Sequence, residues 1–349
     1  VVTAVLNANH FAKNAGNLSV IGIVIGIAAF ALVGCYRQIA LKRSWLDQPN
    51  ERSSHRALTP RGAGIVFAVL ITGTALLYAR HDVAVSLSLL LAFGVALAGW
   101  WDDLRGLSAR LRLTLYGLSA IGIAITVAPL LLATAPPMRL ALMIVAIAVS
   151  LVWLINLYNF MDGINGIAGF ETIFVLAAII WLGHDTPFNA QLGSILWASL
   201  YAIAGFLVWN FPTARVFMGD AGSAYLGALL GVLMLWSLQL DGPSLFSWLI
   251  LLAVFISDTA YTLTVRLISG QRWYLAHRLH GYQILCDIQQ SHTRTVVIIA
   301  SVNLFWLLPC AWFARNGGVI GASLLLLAYL PLLAACRHLR AGVLQRATV

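Results

Sequence analysis

The chain has 349 residues, of which 61% are hydrophobic and only 9% charged, with a formal net charge of +9 and a mean hydropathy of +0.89. Water-soluble domains carry roughly 25% charged residues. This composition therefore excludes a soluble fold and leaves an integral membrane protein.

Its apolar runs have the length an α-helix needs to cross a bilayer, about 20 residues, which favours an all-α polytopic bundle over a barrel of alternating strands. Eleven runs are expected, at about 18–40, 62–80, 83–101, 112–133, 139–158, 167–183, 190–209, 223–238, 244–265, 293–314 and 318–336. No internal repeat or soluble insert interrupts them, so the chain reads as one membrane domain over 1–349. Its polar chemistry would then sit in connections near 41–61, 102–111, 159–166, 210–222 and 266–292. The start of the chain lacks a basic stretch followed by a cleavage site, so the first run reads as a retained helix. Cys35, Cys286, Cys310 and Cys336 are scattered and fit neither a disulfide framework nor a metal spacing.

Basic residues orient the bundle. Alternate connections and the tail hold 17 of the 21 lysines and arginines, leaving Lys13, Arg80, Arg139 and Arg315 on the other side. The rich side is expected to be cytoplasmic, with the N-terminus outside and the C-terminus inside. Most acids fall on the same side; Glu171 and Asp258 lie inside helices toward that end. A carboxylate within a membrane helix costs roughly 3 kcal/mol or more, so such groups usually face a polar cavity.

Five stretches carry the polar chemistry, in chain order. D-Q-P-N-E-R-S-S-H-R-A-L-T-P-R-G-A-G (47–64) is a polar loop that includes Arg61; a basic loop beside lipid headgroups is its plain alternative. W-W-D-D-L-R (100–105) places Asp102 and Asp103 side by side at a helix end, where mutual repulsion raises one pKa or attracts a divalent cation. A solvated end balanced by Arg105 and Arg110 is the alternative. N-L-Y-N-F-M-D-G-I-N-G (156–166) spaces Asn156, Asn159, Asp162 and Asn165 by threes, on one broad face if the helix continues. Gly163 and Gly166 suggest a break, and interhelical hydrogen bonding is the competing role. F-M-G-D-A-G-S (217–223) sets Asp220 between glycines before a helix expected near Ser223, whose free N–H groups would face an anion. There the alternative is an ordinary N-cap, and Asn210 upstream is a ligand or a cap. A-H-R-L-H-G-Y-Q (276–283) offers His277, Arg278 and His280 as donors to phosphate, or as interfacial side chains; a zinc site lacks a third ligand.

The order of these motifs resembles the polyprenyl-phosphate N-acetylhexosamine-1-phosphate transferases (glycosyl transferase family 4), over nearly the whole chain. The resemblance implies a phosphotransferase in a bacterial inner membrane with its site facing the cytoplasm. The phosphate of undecaprenyl phosphate would attack the β-phosphorus of a UDP-N-acetylamino sugar, with UMP leaving and Mg²⁺ required, Mn²⁺ substituting. Carried onto this chain, Asp102, Asp103, Asp162 and Asp220 look like catalytic acids, with Asp220 and Asp103 at the metal. Asn156, Asn159, Asn165, Asn210, Arg61, His277, Arg278 and His280 look like substrate contacts. Membrane lipid is the implied environment, a homo-oligomer is compatible with it, and no nucleic acid is implied. Asn165 stands where many members have a second Asp, and Leu58 and Ala63 where Pro and Gly are usual. Three consecutive histidines, a mark of the phospho-MurNAc-pentapeptide transferases, are missing. The resemblance therefore favours the branch that starts O-antigen or a related surface polysaccharide, in lipopolysaccharide or cell-wall biogenesis, with the peptidoglycan branch as alternative.

A secondary transporter is the leading non-enzyme reading. Transporter sites gather near the midplane of repeated halves, whereas these carboxylates cluster toward one face. A CDP-alcohol phosphotransferase requires D-G-x-x-A-R, which Asp162-Gly163-Ile164-Asn165-Gly166-Ile167 does not continue.

Overall fold

The computed structural model describes residues 2–48, 58–79, 82–272, 275 and 277–344, with side chains from residue 20 onward. Residues 49–57 of the first polar loop, with Glu51, Arg52 and Arg56, lie outside the described residues, as do Arg80, Trp273, Tyr274, Ala276, Arg346 and the Lys13 side chain.

In chain order the helices are α1 (Val2–Arg43), α2 (Gly64–Tyr78), α3 (Val83–Arg105), α4 (Ala109–Leu131), α5 (Pro137–Met161), α6 (Ile167–Leu182) and α7 (Pro187–Asn210). They continue with α8 (Gly219–Gln239), α9 (Leu245–Leu251), α10 (Ala253–Ile268), α11 (Gly281–Gln289), α12 (His292–Val302), α13 (Leu308–Phe313) and α14 (Gly318–His338). Strand β1 (Leu46–Asp47) pairs antiparallel with β2 (Thr59–Pro60), Leu46 opposite Pro60. Local chemistry starts many of the helices. The Asp82 side chain accepts the Val85 N–H at 3.1 Å to open α3, Ser108 accepts the Leu111 N–H at 3.3 Å to open α4, and Pro137 and Pro187 occupy first turns that need no N–H donor.

The all-α membrane bundle is as expected, but the number of full spans is smaller. Among the described residues eight helices are long and apolar enough to cross a bilayer, or nine if the bent pair α9 and α10 counts as one. The runs expected at 62–80 and 167–183 form α2 and α6, of 15 and 16 residues. At about 1.5 Å per residue these fall short of the roughly 30 Å hydrocarbon layer. The run at 244–265 bends by 71° at Leu252, whose backbone leaves the helical region at φ −91° and ψ 4°. No glycine or proline causes the bend. Instead, α9 packs on α13 and α14 whereas α10 packs on α14 and α5, so the halves answer to different neighbours. The run at 293–314 widens into a π turn at Asn303–Leu307, just before Pro309, which has no N–H and crowds the carbonyl four residues back.

Helix α8 is the centre. Of its most apolar window 89% is buried, against 17% for α14 at the periphery. It packs on α3, α5, α2 and α4, and α1 lies along α7. Lipid tails are as apolar as leucine, so close backbone approach has to hold such helices together. The first turn of α8 shows this: a Cβ on Gly64 of α2 would overlap Gly222. The segment before α2 is stitched to the same place, with Phe217 N–H to Pro60 O at 2.8 Å, Ala63 N–H to Phe217 O at 3.1 Å and Gly64 N–H to Met218 O at 2.9 Å. These contacts bring Arg61 beside the ends of α3 and α8.

Candidate active site

The end of α3 and the start of α8 are joined by Asp103. Its Oδ1 accepts the Asp220 N–H and its Oδ2 the Ala221 N–H, each at 3.0 Å. First-turn amides have no partner within their own helix, and the positive end of the helix dipole favours an anion there. Helix α8 begins at Gly219, four residues before the expected start, so Asp220 lies inside the first turn. Two of the amides expected to face a substrate anion are thus already taken by an internal carboxylate. Gly219 is required on two counts: its φ is +68°, and a Cβ there would collide with the Asp103 carboxylate.

Arg61 steadies the other side of the joint. Its Nε donates to the Asp103 carbonyl at 2.7 Å and its Nη2 to the Asp102 carbonyl at 3.3 Å, capping the negative end of α3. Its Nη1 lies 3.6 Å from Asp47 Oδ1.

Asp102 and Asp220 meet through Arg112. A single nitrogen, Nη1, donates to Asp102 Oδ2 at 2.6 Å and to Asp220 Oδ2 at 2.6 Å. The turn between α3 and α4 makes this possible, because Asp102 Oδ1 also accepts the Leu107 N–H and folds the chain back. Sequence reading counted Arg112 only as one more basic residue. The available signal was its place one turn into a helix opened by Ser108, directly after a diacid.

Around this cluster opens a cleft of about 270 Å³ whose walls include Arg61, Asp103, Asn159, Asp162, Asn165, Asn210, Asp220, Ser223 and Gln283. Asn159 Nδ2 donates to Ser223 Oγ at 3.2 Å. Asn210 accepts the Gly166 N–H at 2.8 Å and donates to the Val216 carbonyl at 3.0 Å, fixing the loop after α5 to the loop before α8. Asn165 Nδ2 donates to the Pro212 carbonyl at 3.1 Å. Asp162, one residue beyond α5, faces the cleft. Burial, reinforced by the charges of Asp220 and Asp103, pushes its carboxyl well above the ordinary range.

Asn156, His277, Arg278 and His280 do not line this cleft. Asn156 turns back on its own helix, donating to the Val152 carbonyl at 2.7 Å. Buried His280 caps α11, its Nδ1 3.1 Å from Asp258 Oδ1. Burial, with the neighbouring His280 ring and the Arg266 charge, pushes His277 down to about 3, which leaves it neutral, and its Nδ1 accepts the Leu279 N–H at 3.2 Å. Arg278 pairs with Asp287 at 2.7 Å. What reaches the cleft from this segment is Gln283, and Asp258 places it. The Asp258 carboxylate, 4% exposed, accepts the Gly281 N–H at 2.9 Å and the Tyr282 N–H at 2.7 Å. It also accepts the Thr262 hydroxyl at 3.1 Å. Tyr282 then donates to the Phe160 carbonyl at 3.0 Å. Among the described residues no three Asp, Glu, His or Cys side chains are gathered as an ion cage.

The raised Asp162 pKa sets a pH dependence. A carboxyl that holds its proton more tightly when folded gives stability that is fully present below the unfolded pKa of about 4 and is lost as pH rises through the folded value. Asp162→Asn removes that loss. Its melting temperature in detergent without divalent ions should match wild type near pH 4 and exceed it by several degrees at alkaline pH, whereas a gap independent of pH would contradict the assignment.

The sequence model of glycosyl transferase family 4 matches residues 85–238, from α3 through α8. A probable undecaprenyl-phosphate N-acetylglucosaminyl 1-phosphate transferase of Bacillus subtilis is 27% identical over 295 residues, 81% of either chain. The decaprenyl-phosphate N-acetylglucosaminephosphotransferase of Mycolicibacterium smegmatis is 26% identical over 81% of this chain and 78% of its own. A phospho-N-acetylmuramoyl-pentapeptide-transferase of Moorella thermoacetica is 30% identical over 65% of this chain and 76% of its own. Asp103, Asn159, Asp162, Asn210 and Asp220 lie inside the family match, and the chain belongs to glycosyl transferase family 4, among the polyprenyl-phosphate hexosamine-1-phosphate transferases.

Proposed function

We propose that the chain transfers an N-acetylamino-sugar 1-phosphate from a UDP-sugar to undecaprenyl phosphate, releasing UMP. The lipid-diphosphate sugar formed would start a surface polysaccharide such as O-antigen. The observation that carries this reading is the meeting of Asp103, Asp162, Asp220 and Arg61 in one open cleft at the helix ends of an otherwise apolar bundle. Two anionic phosphates require alignment and neutralisation more than covalent help from the protein. A lipid headgroup and a soluble nucleotide can both reach such a place.

In the reaction a phosphate oxygen of the acceptor bonds to the β-phosphorus, the bond from that phosphorus to the bridging oxygen breaks, and UMP leaves with the electron pair. A phosphate monoester has a second pKa of about 6 and is mostly dianionic at pH 7, so the nucleophile needs little deprotonation. Arg112 and Arg61 supply countercharge, while Asn159, Asn165 and Gln283 offer amides to the nucleotide sugar. Asp162, whose carboxyl holds its proton more tightly because it is buried, can when protonated donate a hydrogen bond without adding negative charge.

Mg²⁺, with Mn²⁺ as substitute, fits the donor set. Asp220 and Asp102 present hard oxygens, and Mg²⁺ is commonly held by one or two carboxylates with water and substrate phosphate completing the shell. Asp220 is the better placed of the two expected ligands, because both Asp103 oxygens already receive amides. When bound, the ion would neutralise the donor diphosphate.

Peptidoglycan-type transfer is the second reading. Phospho-N-acetylmuramoyl-pentapeptide-transferases reach 32% identity in Thermosynechococcus vestitus, but over 64% of this chain. The N-acetylglucosaminyl relative of Bacillus subtilis spans 81%, and His277-Arg278-Leu279-His280-Gly281-Tyr282-Gln283 has no run of three histidines. We further propose that the cleft faces the cytoplasm, which the 17-to-4 division of basic residues supports.

Two measurements test this. The detergent-purified protein with undecaprenyl phosphate and Mg²⁺ should release UMP from a UDP-N-acetylhexosamine such as the glucosamine, fucosamine or quinovosamine type, and Asp220→Asn should lower kcat by about 10³-fold or more. Release only from UDP-MurNAc-pentapeptide would select the second reading, and none from any donor would reject both. Cysteines placed at Ser108 and Ser291 should resist an impermeant thiol reagent in intact cells while one at Thr186 reacts; the reverse pattern would overturn the orientation.

A further inference from the structure

We propose that Arg112 is a built-in counter-cation: it holds Asp102 and Asp220 together while no divalent ion is bound, and gives up that place when the ion arrives, freeing its guanidinium for phosphate. The proposal rests on the reaction proposed above and concerns how its site is charged.

The geometry is that of a bridge. One nitrogen, Arg112 Nη1, lies 2.6 Å from Asp102 Oδ2 and 2.6 Å from Asp220 Oδ2. Two carboxylates from different helices that face each other repel unless a cation stands between them. Asp102 and Asp220 would hold a divalent ion through these carboxylates. The nitrogen fills the intervening point, so ion and guanidinium are alternative occupants.

Charge balance favours exchange over coexistence. Among the described residues the cations paired with Asp102, Asp103 and Asp220 are Arg61 and Arg112, and Arg61 also serves Asp47. Asp102 and Asp220 together carry two negative charges, which a divalent ion balances by itself, so that Arg112 becomes surplus between them. Nearby carboxylates in a partly dehydrated cleft strengthen the pull on such an ion.

Of the two guanidiniums, Arg112 alone is free to leave. Arg61 is fixed by the Asp102 and Asp103 carbonyls as well as by Asp47. Among the described residues Arg112 hydrogen-bonds only Asp102 and Asp220, and its side chain is 29% exposed. It stands one turn into α4, where swinging outward breaks no other hydrogen bond.

The test uses Mn²⁺ alone, with the full chain in detergent and no nucleotide sugar or lipid substrate, free ion being counted by electron paramagnetic resonance. Arg112→Gln, which removes the competitor, should bind Mn²⁺ at least about tenfold more tightly than wild type. Arg112→Lys should stay near wild type, because one ammonium nitrogen can also bridge. Equal or weaker binding by Arg112→Gln, or no binding by either protein, would overturn the proposal. Since Arg112→Gln leaves two carboxylates face to face and endangers the fold, a second measurement keeps the wild-type chain. An arginine-specific dicarbonyl reagent, read by peptide mass spectrometry, should modify Arg112 faster with Mg²⁺ than without it, and Arg61 at an unchanged rate. Equal or slower modification of Arg112 would contradict the exchange. Neither readout depends on turnover, so a failure to release UMP from any donor would remove the reaction while leaving this result standing.

Discussion

Asp103 receives the first two free amides of α8 on its two oxygens, and the arrangement of the whole cleft follows from that contact. A buried carboxylate is strongly destabilising unless it is paired or hydrogen-bonded, and hydrogen bonds to charged groups contribute about 1.5–3 kcal/mol each. Here the pairing satisfies two liabilities at once, an acid at the end of a membrane helix and the orphan amides of another. It also fixes where Asp220 must lie, within reach of the Arg112 that Asp102 also holds. The same device recurs at Asp258, whose carboxylate holds the Gly281 and Tyr282 amides of α11. One buried acid thus anchors each of the two helices whose first turns frame the cleft.

These anchors divide the polar residues into fixed and available groups. Asp103, Asp258, His280 and Arg61 are committed to backbone amides, carbonyls or one another. Asp220, Asp162, Asn159 and Gln283 face open space, and Asp102 is held only by a turn amide and a movable arginine. A rigid outer set and an adjustable inner set suit chemistry in which charge must be matched as substrates arrive.

The all-α membrane fold was legible because 20-residue apolar runs have one economical solution in lipid. The end of α5 was legible because its punctuation is local: Gly163 and Gly166 suggest a break, and the helix stops at Met161. The spacing by threes from Asn156 to Asn165 was half informative. The helix stops at Met161, so Asn156 stays on a regular helix while Asn159 and Asp162 reach the cleft and Asn165 sits in the following loop. His277 and His280 were read as phosphate donors or interfacial side chains; in the structure His280 caps α11 and neither lines the cleft. Arg112 and Gln283 were given no role for a different reason: Arg112 reaches Asp220, 108 residues away, and Gln283 is set beside the cleft by the hold of Asp258 on Gly281 and Tyr282, 23 and 24 residues away, which no local pattern encodes. The short α2 and α6 and the bend at Leu252 are likewise set by neighbours.

The fate of the β-phosphate separates sugar-phosphate transfer from ordinary glycosyl transfer most directly. UDP-N-acetylglucosamine, or whichever donor is accepted, carrying a radiolabel in its β-phosphate would be incubated with the purified chain and undecaprenyl phosphate. The label should appear in the lipid product, with unlabelled UMP in solution. Label retained in a nucleotide diphosphate while the sugar moves to lipid would contradict the account.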